Sequence, residues 1–139
     1  LRVLDLFAGT GALGLEALSR GAASVSFVDD GRVAQSLIAK NIEICRAKDR
    51  TALLRRSALK LGQNPELGFD LLFLDPPYGK ALGQKALEAA RDGGWIAPGA
   101  LVVWEENSPM QPLAGFTLED SRKYGDTYVT LLWADAASS

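Results

Sequence analysis

The stretch Val3-Leu4-Asp5-Leu6-Phe7-Ala8-Gly9-Thr10-Gly11-Ala12-Leu13-Gly14-Leu15-Glu16-Ala17-Leu18 decides how the rest of the chain is read. Val3, Leu4, Leu6 and Phe7 have the apolar character of a buried strand, whereas Ala12, Leu15, Glu16, Ala17 and Leu18 are helix-friendly, with apolar positions at helical spacing. Between them Gly9, Gly11 and Gly14 are spaced Gly-x-Gly-x-x-Gly. A strand, a glycine turn and a helix in that order bring backbone N–H groups and a helix N-terminus up to a polar ligand, because no Cβ blocks the turn. The first expectation is a nucleotide-like cofactor.

Working outward, Arg2 to Phe7 is the first predicted strand, and the first helix runs from about Ala12 to Arg20, with Gly21 placed to end it in the left-handed conformation. Val25 to Val28 is a second strand ending in Asp29-Asp30. The next helix has Ala34, Leu37, Ile38, Ile42 and Cys45 at steps of three and four. Thr51 to Arg55 is a short strand, and Gly62-Gln63-Asn64-Pro65 breaks the chain in a polar loop. Phe69 to Leu74 is the most hydrophobic strand and belongs in the middle of the sheet. Its exit into Asp75-Pro76-Pro77-Tyr78 forces the chain out of the sheet, since proline cannot continue a central strand. A helix from Leu82 to Arg91, a strand from Leu101 to Trp104, and two strands, Thr117 to Tyr124 and Thr127 to Trp133, about a Gly125-Asp126 turn complete the pattern, with residues 135–139 expected to fray. Alternating strands and helices predict a single α/β domain over residues 1–139: an open, mostly parallel sheet with helices on both faces and a final antiparallel hairpin. Ligands in such sheets sit over the C-terminal strand ends, where the glycine turn, Asp29 and Asp75 to Tyr78 all fall.

Composition narrows the function classes. At 139 residues and 47% hydrophobic, the chain can bury a substantial core. No apolar run is long enough to cross a bilayer, and the expectation is a soluble, cytoplasmic protein. Cys45 is the only cysteine and there is no histidine, so neither an internal disulfide nor a common zinc pattern is expected, and no metal. The net charge of −2 does not announce a nucleic-acid binder. Between Arg46 and Lys60, however, stand Arg46, Lys48, Arg50, Arg55, Arg56 and Lys60 against Asp49 alone, and Arg122-Lys123 forms a smaller cluster. Such a cluster is either solvated surface or a phosphate-tracking patch.

The glycine spacing matches the dinucleotide fingerprint, and Asp29 follows at about the distance of a ribose-binding acid, so a nicotinamide cofactor fits formally. Asp5 tips the choice. A carboxylate by the turn is ill suited to pyrophosphate but can accept from an α-amino group or orient the turn, which favours S-adenosylmethionine. Asp29 is placed to accept from both ribose hydroxyls, with Asp30 competing for that role and helix capping as the plain alternative. The prolines of Asp75-Pro76-Pro77-Tyr78 stiffen the backbone, so that the Asp75 carboxylate and a neighbouring carbonyl can point at a substrate NH2 while Tyr78 offers a flat face to a planar ring. Exocyclic base amines are poor nucleophiles, and two acceptors on their N–H groups raise electron density and fix the attack geometry for in-line methyl transfer. Ser57-Ala58 is placed to reach an adenine, although serine at a strand end is commonly just a loop residue. Trp95, Trp104 and Trp133 read as packing residues.

These residues resemble a known family, the bacterial 16S rRNA guanine-N2 methyltransferases acting on the guanine called 966. The resemblance runs from Leu4-Asp5-Leu6-Phe7-Ala8-Gly9-Thr10-Gly11 to Gly21, through Phe73-Leu74-Asp75-Pro76-Pro77-Tyr78, to Lys123-Tyr124-Gly125-Asp126-Thr127. It implies a Rossmann-like class I methyltransferase fold with a seven-stranded sheet, and S-adenosyl-L-methionine contacts from the glycine turn and Asp29; with the readings above, the candidate cofactor residues are Asp5, Phe7, Ala8, Gly9, Thr10, Gly11, Gly14, Asp29, Asp30, Ser57 and Ala58. It also implies that Asp75, Pro76, Pro77 and Tyr78 hold the target guanine of 16S rRNA, in the small ribosomal subunit or an assembly intermediate, with the protein a monomer. The family commonly has glutamate where Asp29 stands, another acid in place of Gly31, and Asp or Asn in place of Ser57. It also has an N-terminal segment, with basic and cofactor-closing residues, that the sequence from Leu1 does not include. Adenine-N6 methylation of DNA or RNA, a nicotinamide- or nucleotide-binding module, and a catalytically silent RNA-binding relative are the alternative readings.

Overall fold

The computed structural model describes residues 1–78 and 81–135. The elements are β1 (Arg2–Leu6), α1 (Ala12–Ser19), β2 (Ser24–Val28), α2 (Arg32–Ile44), a 3-10 turn (Lys48–Arg50), β3 (Thr51–Leu54), β4 (Phe69–Leu74), α3 (Leu82–Asp92), β5 (Ile96–Glu106), β6 (Phe116–Tyr124) and β7 (Thr127–Ala134). They form one seven-stranded sheet in the order β3-β2-β1-β4-β5-β7-β6. The first five strands run parallel, and β7 returns antiparallel between β5 and β6. Strand order reverses about β1, which pairs with β2 on one side and β4 on the other, and that reversal opens the crevice where such sheets bind ligands. Leu6 stands opposite both Val28 and Leu74, so the glycine turn, Asp29 and Asp75 emerge side by side.

Both faces of β1 are covered, which is why Val3, Leu4 and Leu6 are fully buried and the strand reads as a continuous apolar run. On one face Val3, Val25 and Phe27 pack beneath α1 and α2 through Leu18, Ile38 and Ile42. On the other, Leu4, Leu6, Leu72, Leu74, Val102 and Trp104 form the larger core with Ala86, Leu87 and Ala90 of α3. Leu71 and Phe73 lie at the margin of the first cluster and stay half-buried, as do Leu101 and Val103, their partners on β5.

The structure differs from the sequence expectations at several places. The fifth strand begins at Ile96 rather than Leu101 and runs through Pro98-Gly99; a register shift against β4 and a left-handed Gly99 absorb the proline in a bulge. β1 and β3 end one residue early, because Phe7 turns to φ 58 and Arg55 leaves the ladder. In α2 the apolar period overstates the buried face, since Ile38 and Ile42 make the contact while Leu37 and Cys45 are exposed. Trp133 is not a core residue: it is 41% exposed, and its indole N–H donates to Glu119 of the neighbouring strand. Of the tail expected to fray, Asp135 is instead tied down by its N–H to the Gly115 carbonyl and by the Thr117 hydroxyl, and residues 136–139 lie outside the described residues.

Candidate active site

The turn after β1 is built from left-handed residues: Phe7 at φ 58, Gly9 at φ 62 and Gly11 at φ 80, the last being the residue from which α1 starts. The Gly11 N–H closes the turn on the Ala8 carbonyl at 2.8 Å, and Asn41 of α2 donates its side-chain amide to the Thr10 carbonyl at 2.9 Å. Gly14 is required for another reason. A Cβ there would lie 2.5 Å from the Phe27 ring and 2.7 Å from Val25, so only glycine lets α1 sit this close to β2.

Two carboxylates brace this turn. Asp5, 2% exposed, accepts the Gly14 N–H at 3.1 Å. Burial pushes its carboxyl up to about 7; the Gly14 bond offsets part of the rise, and the charges of Asp75 and Asp29 add to it. Asp29 accepts the Gly9 N–H at 3.0 Å and the Gly31 N–H at 2.9 Å, and its carbonyl receives the Gln35 side-chain amide at 2.9 Å. Asp29 thereby links the β1 turn to the start of α2, while Asp30 is exposed beside it. The sequence places Asp5 and Gly14 among the cofactor contacts. In the structure both are buried and bonded to each other, supporting the turn from beneath, and Asp5 takes the turn-orienting option of its two.

A cavity of about 180 Å³ lies over the strand ends, lined by Phe7, Val28, Asp29, Asp30, Ser57, Ala58, Leu59, Pro77 and Leu82. It gathers sequence-selected residues from four separate segments, with apolar walls and acids at one side, the lining a nucleoside requires. The Ser57 hydroxyl accepts the Leu59 N–H at 3.1 Å, so part of its capacity goes to its own turn. Thr10, Gly11, Asp75, Pro76 and Tyr78 are not among the lining residues of this cavity.

Asp75 follows β4 directly. The residue is exposed, yet partial burial of its carboxyl raises its pKa. Pro76 is buried, and Tyr78 is 43% exposed with its hydroxyl 3.3 Å from that of Thr127, at the turn of the β6–β7 hairpin. At the end of β5, burial raises the carboxyls of Glu105 and Glu106 and the charge of Asp75 adds to both, while the Trp104 indole N–H, which Glu106 accepts at 3.1 Å, offsets part of the rise at Glu106. Asp5, Asp29, Asp75, Glu105 and Glu106 thus share one electrostatic neighbourhood. Sequence reasoning gave no site role to Gln35, Asn41, Leu82, Glu105, Glu106 and Thr127; the two glutamates, at the C-terminal end of a strand next to β4, carried a positional signal that the polar side chains on helices did not.

Residues 1–133 match the family described as Conserved hypothetical protein 95. The chain belongs to this family. Its relatives include ribosomal RNA small subunit methyltransferase D of Haemophilus influenzae, 32% identical over 127 residues, covering 88% of this chain and 66% of the relative. The protein of the same name in Escherichia coli K12 is 33% identical over 102 residues, covering 73% of this chain and 51% of that one. The chain spans about half to two thirds of the length of these curated relatives. The crystal structure of a candidate methylase of Haemophilus influenzae superposes with a TM-score of 0.88 at 28% identity, covering 96% of this chain and 86% of that one. The fold is that of class I methyltransferases.

Proposed function

We propose that this chain transfers a methyl group from S-adenosylmethionine to the exocyclic N2 amine of a guanine in 16S rRNA, within the small ribosomal subunit or an assembly intermediate, acting as a cytoplasmic monomer. The convergence of Asp5, Asp29, Asp75, Glu105 and Glu106 carries this reading. A pyrophosphate would meet repulsion from those of these carboxyls that are ionised, to which Asp5, protonated up to about pH 7, adds little, whereas a ligand bearing a sulfonium and an ammonium is attracted by them. That electrostatic sign favours S-adenosylmethionine over a nicotinamide dinucleotide, which the glycine spacing alone leaves open. The relatives' names support ribosomal RNA as the substrate class.

When bound, the cofactor supplies an electrophilic methyl group. Asp29 and Asp30 would face its ribose, and Phe7, Ser57, Ala58 and Leu82 its base, in the cavity they line. Phe7, Ala8, Gly9, Thr10 and Gly11 form the turn that approaches it, held in shape by Asp5 and Gly14. Asp75 and a neighbouring main-chain carbonyl accept the N–H groups of the target amine, raising its electron density and fixing the attack geometry, and a carboxyl with a raised pKa is also the better acceptor for the proton released after transfer. Pro76 and Pro77 fix the backbone on which Asp75 stands, and Tyr78 supplies the surface on which the base stacks. Among the described residues no group of three or more metal-binding side chains is gathered, and no described helix is long and apolar enough to cross a membrane.

Mass spectrometry of nucleosides from unmodified small-subunit rRNA incubated with the chain and cofactor tests the substrate. N2-methylguanosine is expected; N6-methyladenosine would move the activity to the other base amine, and absence of any methylated nucleoside would contradict methyl transfer.

A further inference from the structure

The proposed reaction brings a polyanion to a mouth lined with carboxylates, in a chain whose net charge is −2. Attraction must come from elsewhere on the surface. We propose that the edge formed by the end of α2, the 3-10 turn and β3 is a docking track for the phosphate backbone of the RNA; this rests on the reading of the chain as an RNA methyltransferase.

β3 is the outer strand of the sheet, and beside it runs a groove of about 580 Å³ lined by Glu43, Arg46, Lys48, Thr51, Leu53 and Arg55 among others. Arg46, Lys48, Arg50 and Arg55 are exposed. Among the described residues none of them forms an ion pair; those formed lie at Arg2, Arg20, Arg91 and Arg122. Arg56 is excluded from the track, because it bonds the Leu61 carbonyl and lies over the Trp95 ring. Glu43 and Asp49 are the acids nearby in sequence. Arg46 holds φ 53 just past the end of α2, where glycine is the less strained choice, so the chain keeps a cation there against its backbone preference.

The track leads to the site. Leu54 pairs with Val28, so Arg55 stands at the cofactor end of β3, whereas Arg46, Lys48 and Arg50 precede Thr51 at the opposite end of the strand. Arg55 donates to the Gln35 side-chain oxygen at 3.2 Å, and Gln35 in turn donates to the Asp29 carbonyl. A strand of RNA held along this edge is delivered to the acidic mouth at the end where the cofactor acid is anchored. Exposed Ile44 lies beside these cations, so a ribosomal protein is the rival occupant to be tested.

The test uses the triple variant Arg46→Ala/Lys48→Ala/Arg50→Ala, at the end remote from the site, and the double variant Arg20→Glu/Lys85→Glu, whose change in net charge is at least as large, as a charge control. Affinity for a 16S rRNA transcript, affinity for small-subunit particles, and calorimetric affinity for S-adenosylmethionine are measured for each. The triple variant is expected to bind the transcript at least about tenfold more weakly, with a salt-dependence slope lower by about 2, and to bind S-adenosylmethionine unchanged. Unchanged transcript affinity, or an equal loss in the control, would overturn the track. Loss confined to particles would assign the edge to a ribosomal protein and overturn it likewise. Failure of the unaltered chain to bind the transcript would remove the RNA reading itself, a result distinct from the others.

Discussion

Asp5 is an ionisable group almost sealed from water and one hydrogen bond from the glycine turn. In the folded chain its carboxyl holds its proton up to about pH 7, whereas unfolded it ionises near the ordinary 3.8. Between those values the folded state carries the extra proton, so this group's contribution to stability falls as pH rises through the window and is level above it. Asp5→Asn removes the titration. The expected result is a flatter dependence of unfolding free energy on pH between about 4 and 7, measured by denaturant titration at several pH values. The slope is the readout, because a buried amide with an unpartnered NH2 adds its own cost of about 1–3 kcal/mol at every pH. An unchanged slope would show that Asp5 is not the titrating group. The sequence identified Asp5, Asp29 and Asp75 because each follows or interrupts an apolar run. It left Asp5 between ligand contact and turn support, since that choice depends on where the Gly14 N–H points after α1 has packed on Phe27.

At the scale of elements, the β6–β7 hairpin turn touches the base holder through Thr127 and Tyr78. The ring and the hydroxyl of Tyr78 carry different weights. An exposed hydrogen bond at 3.3 Å contributes less than about 1 kcal/mol, whereas stacking of a base on an aromatic ring contributes about 1–3 kcal/mol. Tyr78→Phe and Thr127→Val are therefore expected to lower kcat/KM for RNA by severalfold at most, and Tyr78→Ala by roughly tenfold to a hundredfold, with cofactor affinity unchanged. Equal effects of Phe and Ala at position 78 would contradict a stacking role. Elements with one strong apolar period, β1, β2 and β4, were legible from the chain alone. β5 was misread because Pro98-Gly99 carries a turn signal that the β4 register shift converts into a bulge. Asn41 and Thr127 stayed hidden because their contacts join residues far apart in the chain, and Gln35, only six residues from Asp29, because a polar side chain on a helix leaves no periodic trace.

Across the whole molecule, charge is segregated rather than scarce. Carboxylates gather over the ends of β1, β2, β4 and β5, and cations that form no ion pair among the described residues lie from the end of α2 along β3. The sum, near neutral, conceals both, which is why overall composition argued against nucleic acid while local spacing kept it open. The sheet order brings the two halves of the candidate site together: the glycine turn and Asp75, far apart in sequence, leave adjacent strands at the same level. Asp75 is the residue through which the cofactor half acts on a substrate. The direct test is the single-turnover rate of methyl transfer to unmodified small-subunit rRNA by the unaltered chain and by Asp75→Asn, both saturated with S-adenosylmethionine. The expected rate for Asp75→Asn is lower by about 10²- to 10⁴-fold while the cofactor still binds; equal rates for the two proteins would contradict the role given to Asp75 and the mechanism built on it.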